Sequence, residues 1–236
     1  MLAAQAGIDP YVALVPMTAA MFVVGYALYA GVIGRISGGE DSRILLATLG
    51  VSVVLDNAAL VAFTGDTRTI ETPYSFDMVD LSFVSVPTAK LISFGFAILL
   101  AVALWAFMTY TDTGRAIRAV AREPEGARLV GIRPQRIFAL SFAIGVACLG
   151  AAACLLLPSF YVSPSVGGTF VLFAFTIVVL GGMGSFPGAV VGGLIIGVTE
   201  SVGGLYLGES LGPICVPLIF VAVLLFRPTG LFRAAR

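Results

Sequence analysis

Six charged residues fall within fifteen positions in "REPEGARLVGIRPQR", residues 122–136: Arg122, Glu123, Glu125, Arg128, Arg133 and Arg136. Elsewhere ionisable groups are sparse, and Asp56 (beside Asn57), Lys90 and Glu200 stand singly inside or at the edge of apolar runs. The residue types narrow what chemistry is possible. The chain has no histidine, so the commonest general base and metal ligand is missing. Cys148, Cys154 and Cys215 lie in apolar runs at spacings that match no zinc or redox motif, and they read as small packing residues. No G-x-x-x-x-G-K-[ST] occurs, so no loop of that kind cradles a nucleotide's phosphates. The expectation is a chain without cofactor, metal site or catalytic residues. Two possibilities remain for its charges: a surface patch that meets a partner, and a few buried-depth groups that meet a solute or each other.

Composition says what surrounds them. Of 236 residues, 59% are hydrophobic and 11% charged, with a mean hydropathy of +1.05, whereas soluble domains carry about 25% charged residues. The chain reads as an integral membrane protein. Spanning backbone must satisfy its own hydrogen bonds, and the alternation of a barrel strand is absent, so the fold class is an all-α polytopic bundle. A formal net charge of zero leaves no long-range field to recruit nucleic acid. With about 20 apolar residues needed to span, the candidate segments are 11–34, 44–63, 88–110, 137–157, 168–180, 188–207 and 211–226. They form a single transmembrane domain over 1–236, with 111–136 as a connection outside the bilayer.

Placing 122–136 in the cytoplasm puts all the basic residues there except Arg68 and Lys90, as the positive-inside bias requires. The C-terminus is then cytoplasmic and the acidic 64–87 loop external. The first ten residues lack the basic n-region of a signal peptide. Met1 also falls outside, an arrangement that arises when an upstream hairpin or helix is missing.

The 168–180 segment is about 20 Å long as a helix and is flanked by the breakers "PSFYVSP" and "GGMGSFPG". Short or broken helices are therefore expected around 158–188, where irregular backbone at membrane depth must line a pathway or face protein. Gly181, Gly182 and Gly184 could form a gate or hinge, or simply a tight turn. Gly188, Gly192, Gly193 and Gly197 have the small-xxx-small spacing of close helix packing. Asp56, Asn57 and Glu200 fall in the outer half of the membrane, as satisfied polar contacts or along a translocation path. Lys90 is the base available to neutralise Asp56 or Glu200.

Within the charged stretch, Pro124 suits a first helical position and Gly131 followed by Pro134 is a stop signal. The helix between them has fewer than two turns and must dock on something to persist. Upstream, Arg115, Arg118 and Arg122 share a stripe of "TGRAIRAVAR". The residues leave two readings open: a charged connection meeting lipid phosphates, or a seat for a partner.

The segment "EGARLVG", residues 125–131, resembles the E-A-A-x-x-x-G motif of permease subunits in ABC importers, with Gly126 in place of the first alanine. "GRAIRAVAREPEGARLVGI", "VVLGGMGSFPGAVVGGLIIGVTES" and the terminal "RPTGLF" together are similar to the branched-chain amino-acid permease family, in its H-type form. Similarity in order and spacing includes "LLATLGVSVVLDN". The resemblance implies a bacterial inner-membrane importer subunit for branched-chain or related small amino acids. It implies two ATP-binding subunits, a second, M-type permease chain and an external solute-binding protein as partners. Arg122, Pro124, Glu125, Gly126, Ala127, Arg128 and Gly131 would then form the helix that couples to the ATPase. The sequence departs from the family in lacking an "NFAHG"-like block and the I-x-L-P tail after the motif. Roughly one or two upstream helices are expected to be absent. A secondary transporter with a midplane site, or a scaffold half of a permease pair, are the other readings.

Overall fold

The computed structural model describes residues 12–36, 41–63, 78–80, 85–158, 160, 166–182, 184–208, 214–226 and 230. Helices dominate: α1 (Leu14–Ile36), α2 (Asp41–Phe63), α3 (Thr88–Tyr110), α4 (Asp112–Arg122), α5 (Pro124–Leu129), α6 (Pro134–Leu156), α7 (Gly167–Gly181), α8 (Phe186–Leu207) and α9 (Cys215–Phe226). Five of them, α1, α2, α3, α6 and α8, are long and apolar enough to cross a membrane. The apolar helices α7 and α9 have 15 and 12 residues, about 22 and 18 Å at the α-helical rise. A short helix thus falls where the breakers around 158–188 predict it; in the 211–226 run α9 begins at Cys215 after a 3-10 residue, Ile214, and 211–213 lie outside the described residues. The loop expected at 64–87 contains a small departure from an all-helical chain. Strands β1 (Met78–Asp80) and β2 (Ser85–Pro87) pair antiparallel, with Val79 opposite Val86, and β2 leads directly into α3 with Pro87 as its N-cap.

The chain divides into two compact units, Met1–Pro164 and Ser165–Arg236. In the first, α1 packs along α6. The face of α6 that does so is a column of small side chains four residues apart, Ala139, Ala143, Ala147 and Ala151, continued by Gly150 and Cys154, all buried. Lipid tails are as apolar as leucine, so helices in a bilayer are held by close contact rather than by the hydrophobic effect, and small residues allow it. Gly25 of α1 lies so near that an added Cβ would stand 2.8 Å from the Val146 Cβ and 3.0 Å from the Ala143 Cα. At Gly150 the same atom would meet the Met21 Cγ at 2.8 Å. Since Met21 faces Gly150, Gly25 faces Ala143 and Tyr29 stacks on Phe142 with ring centroids 5.9 Å apart, the two helices run antiparallel. A single π-helical turn, Tyr29–Ile33, interrupts α1 and turns the buried Tyr29 ring onto α6. The Ser93 hydroxyl donates to the Leu155 carbonyl at 2.7 Å, tying α3 to α6 across the apolar interior.

The second unit is a cluster of α7, α8 and α9 around Leu180, Ile196 and Val216, with Phe173, Ile177, Ile219 and Val223 packed on them. Phe175 and Phe220 meet edge to face at 5.7 Å.

Gly25→Val is expected to overpack the α1–α6 seam and cost about 1–3 kcal/mol, read as a lower thermal midpoint in detergent. Gly50→Ala, where nothing lies within 4 Å of the added Cβ, should leave the midpoint unchanged or slightly raised.

Candidate functional site

Between α3 and α6 the chain makes an elbow whose joints are each held by identifiable bonds. Thr111 caps α4: its hydroxyl accepts from the Gly114 amide at 3.0 Å and donates to the Phe107 carbonyl at 2.7 Å. Gly114 has no alternative at this joint, because a Cβ there would sit 2.6 Å from the Met108 Cα and from the Phe107 carbonyl oxygen. The Arg118 guanidinium reaches back to the Met108 carbonyl, satisfying an orphan acceptor at the end of α3. Helix α4 is two-sided. Gly114 and Val120, the latter 1% exposed, face the protein, and Arg115, Arg118 and Arg122 face out. Arg115 pairs with Asp112 at 3.1 Å in the open, a contact that contributes little to stability.

Helix α5 follows after one residue. Its six residues make about 9 Å of rod. Pro124 is at its first turn, where a missing N–H costs nothing. At the other end Ile132 N–H donates to the Ala127 carbonyl and Gly131 N–H to the Arg128 carbonyl, both at 3.0 Å, with Gly131 at φ 87°. That crossed pair is a Schellman closure, which needs the left-handed conformation that glycine adopts without strain. Pro134 then opens α6. The rod therefore starts at a proline and is closed at its C-terminal end, as the residues at 124, 131 and 134 predict.

One side of α5 is anchored by Ala127, 4% exposed, and the other is presented. Glu125 and Arg128 pair at 3.1 Å on the surface. Arg122, Glu123, Pro124, Arg133 and Arg136 are exposed, and Gly126 is half-buried, where a Cβ would meet only the mobile Glu123 side chain at 3.0 Å. Sequence reasoning missed Leu129 and Val130, which are 90% and 76% exposed. Once Ala127 is known to point inward, two steps of about 100° carry position 129 to the opposite face; three would bring position 130 back to within about 60° of Ala127, and Val130 is exposed because it lies at the C-cap, beyond the last helical residue. The elbow thus offers an apolar pair rimmed by arginine and glutamate.

The glycine block lies in the second unit. Gly181 ends α7, Gly182 (φ 92°) and Gly184 (φ 86°) turn the chain, and the Ser185 hydroxyl caps α8 by accepting from the Gly188 amide at 3.1 Å. Gly181 and Gly188 touch backbone to backbone, so a Cβ on either would run into the other's carbonyl group. At Gly192 it would meet the Ile177 carbonyl at 2.9 Å. Gly193 and Gly197 have no such crowding. One residue of the "RPTGLF" block meets it: Gly230 (φ 75°) sits so close that its Cβ would be 2.5 Å from the Gly182 Cα and 2.7 Å from the Val179 carbonyl, the rest of that block lying outside the described residues. Two motifs separated by some forty residues of sequence are joined at one point, which no spacing rule reveals. Met183 lies outside the described residues.

The remaining candidates are dispersed. Asp56 and Asn57 are exposed on α2, and the Asn57 amide donates to the Val53 carbonyl at 2.7 Å within its own helix. Lys90, exposed at the start of α3, makes no ion pair with Asp56 among the described residues. Glu200 is half-exposed on α8. Among the described residues no three His, Cys, Asp or Glu side chains gather as a metal site would need.

Comparison with known proteins follows the same lines. The family described as "Branched-chain amino acid transport system / permease component" matches residues 1–227. The chain is 32% identical to the high-affinity branched-chain amino acid transport system permease protein BraD of Pseudomonas aeruginosa, over 98% of this chain and 78% of that protein. It is 36% identical to the LivH permease protein of Escherichia coli K12 over 79% of this chain and 62% of LivH, so the match spans less than two thirds of that relative. The probable LivH of Methanocaldococcus jannaschii is 27% identical over 95% of this chain. No solved structure matches.

Gly188→Val should separate α7 from α8, lowering both the yield of folded protein and its thermal midpoint, whereas Gly197→Ala should leave both unchanged. Detergent-solubilised yield and melting read the difference. With its membrane-spanning helices, its glycine-closed α5 and these relatives, the chain belongs to the permease components of branched-chain amino acid transport systems.

Proposed function

We propose that this chain is the H-type permease subunit of an ATP-driven importer that carries branched-chain or related small amino acids across a bacterial inner membrane. ATP is hydrolysed on two separate subunits, a second, M-type permease chain completes the pathway, and an external solute-binding protein delivers the solute. The observation that carries this reading is α5: a proline-started rod, closed at its C-terminal end around Gly131, with Leu129 and Val130 exposed there. Apolar side chains exposed to that degree on a connection between helices suit a socket on another protein. Closure of two nucleotide-bound subunits is a rigid-body motion, and a rod that cannot fray passes such a motion on to α4 and α6. Arg122, Glu125 and Arg128 supply the polar rim. The basic residues of 115–136 favour the cytoplasmic face for this elbow, and those of 227–236 favour it for the C-terminus. The names of the relatives support the solute class.

ATP-dependent uptake of labelled leucine into proteoliposomes carrying the assembled complex tests the reading. Uptake that persists without the ATPase subunits would identify a secondary transporter instead. Leu129→Asp with Val130→Asp should cut ATP-driven uptake at least about tenfold, the effect of losing ~1.4 kcal/mol of contact. Because both side chains are exposed, the thermal midpoint of the isolated chain should not move, exposed substitutions lying within about 0.5 kcal/mol.

A further inference from the structure

Helix α2, like α3, has none of its most apolar window buried by the rest of the chain, and of the two it alone carries a carboxylate within its apolar stretch. None of its 20-residue apolar stretch, Arg43–Ala62, is buried by the rest of the chain. Leu45, Leu46, Leu49, Val53, Val54 and Val61 are exposed around it, as a lipid-facing helix requires. Asp56 is exposed on the same helix. Thirteen residues separate it from Arg43, about 20 Å of helix, and seven separate it from Phe63 at the other end, about 10 Å. With a hydrocarbon core about 30 Å thick, the carboxylate lies well inside, two helical turns from the nearer end. Such a group is costly against lipid even on the mildest scale, which favours water or protein on that side of α2.

The neighbouring polar groups are already occupied. The Asn57 amide donates to the Val53 carbonyl at 2.7 Å and the Thr48 hydroxyl to the Leu45 carbonyl at 2.9 Å, each hiding a donor within the helix. The carboxylate has no bond of this kind among the described residues, and it can only accept. Ser52, exposed one turn away toward Arg43, and Thr48 one turn further continue its stripe at intervals of four residues. An acceptor-only anion beside hydroxyls, at membrane depth on an otherwise apolar helix, is complementary to a compact cation with several N–H donors. The ammonium of a zwitterionic amino acid is such a group.

We propose that the Asp56 carboxylate, assisted by Ser52, binds the ammonium group of the solute on its way through the membrane, and so sets the requirement for an α-amino group within the permease itself. This rests on the reading of the chain as an amino-acid permease. The solute's aliphatic side chain would lie along the leucines and valines that flank the stripe, and the ammonium would exchange its shell of water for the carboxylate and hydroxyl. No covalent step is involved.

The test uses the whole complex, with its ATPase, permease and solute-binding partners, in proteoliposomes. Wild-type complex should accumulate labelled leucine with ATP; if it accumulates none, the amino-acid reading itself fails. Given wild-type uptake, Asp56→Asn should lower it at least tenfold, with the purified complex still holding its second permease chain, and Asp56→Glu should stay within about threefold of wild type. An independent readout is Asp56→Cys with Cys148, Cys154 and Cys215 replaced by alanine. The new thiol should react with the water-soluble cation methanethiosulfonate ethyltrimethylammonium, as a group on an aqueous path does. Uptake by Asp56→Asn within twofold of an active wild type overturns the proposal. So does a thiol that reacts only with a membrane-permeant maleimide, which would put Asp56 against lipid. Loss of the second permease chain from Asp56→Asn also overturns it, by assigning the carboxylate to a cation of that chain.

Discussion

Close approach of one helix backbone to another is the contact on which this molecule rests. Where lipid is the solvent, burying leucine against leucine gains little, and what holds helices together is the number of atoms that can touch. Glycine and alanine let the backbones themselves touch. In the first unit the seam runs from Gly25 against Ala143 to Met21 against Gly150. In the second it is the mutual contact of Gly181 and Gly188, extended by Gly192 against Ile177 and by Gly230 against Gly182. Glycine in a helix would weaken it in water. In a bilayer the helix has no competing solvent for its hydrogen bonds, so that cost shrinks and the gain in contact prevails.

The same constraint explains the stiffness of the α3–α6 elbow. Outside the bilayer water competes for every backbone group, and a six-residue helix does not survive on its own bonds. Each end of α4 and α5 therefore has a specific partner: Thr111 and Gly114 at one joint, Arg118 on the Met108 carbonyl, Pro124, and the crossed closure at Gly131. Ala127 and Val120 press the assembly onto the protein. Leu129 and Val130 are thereby joined to α3 and α6 through a bonded connection. The glycines at 181, 182 and 184 make a different kind of turn, in which Gly181 is pressed against Gly188 and Gly182 against Gly230 while Gly184 is open.

Polar side chains within the apolar segments divide into two kinds. Thr18, Thr48, Asn57, Thr176 and Thr199 each donate to a carbonyl three or four residues back, so their polarity stays within one helix. Ser93 reaches across to Leu155 and binds two helices together. Asp56 does neither, and a carboxylate cannot, because it has no hydrogen to give to a carbonyl.

Composition and periodicity by themselves determined that the chain is a helical membrane protein, where its spanning segments fall, and that 124–131 is a short helix with a proline start and a glycine stop. These are local properties: apolar length, the missing N–H of proline and the backbone freedom of glycine act within a few residues. The tertiary structure alone decided that Leu129 and Val130 face outward, that the two-stranded β1–β2 ladder interrupts an otherwise helical chain, and that Gly192 is crowded while Gly197 is not. It alone decided that Gly230 meets Gly182. Such outcomes depend on which residues far apart in sequence come within a few ångströms, and small-xxx-small spacing is identical for a glycine that touches a neighbouring backbone and one that faces open space.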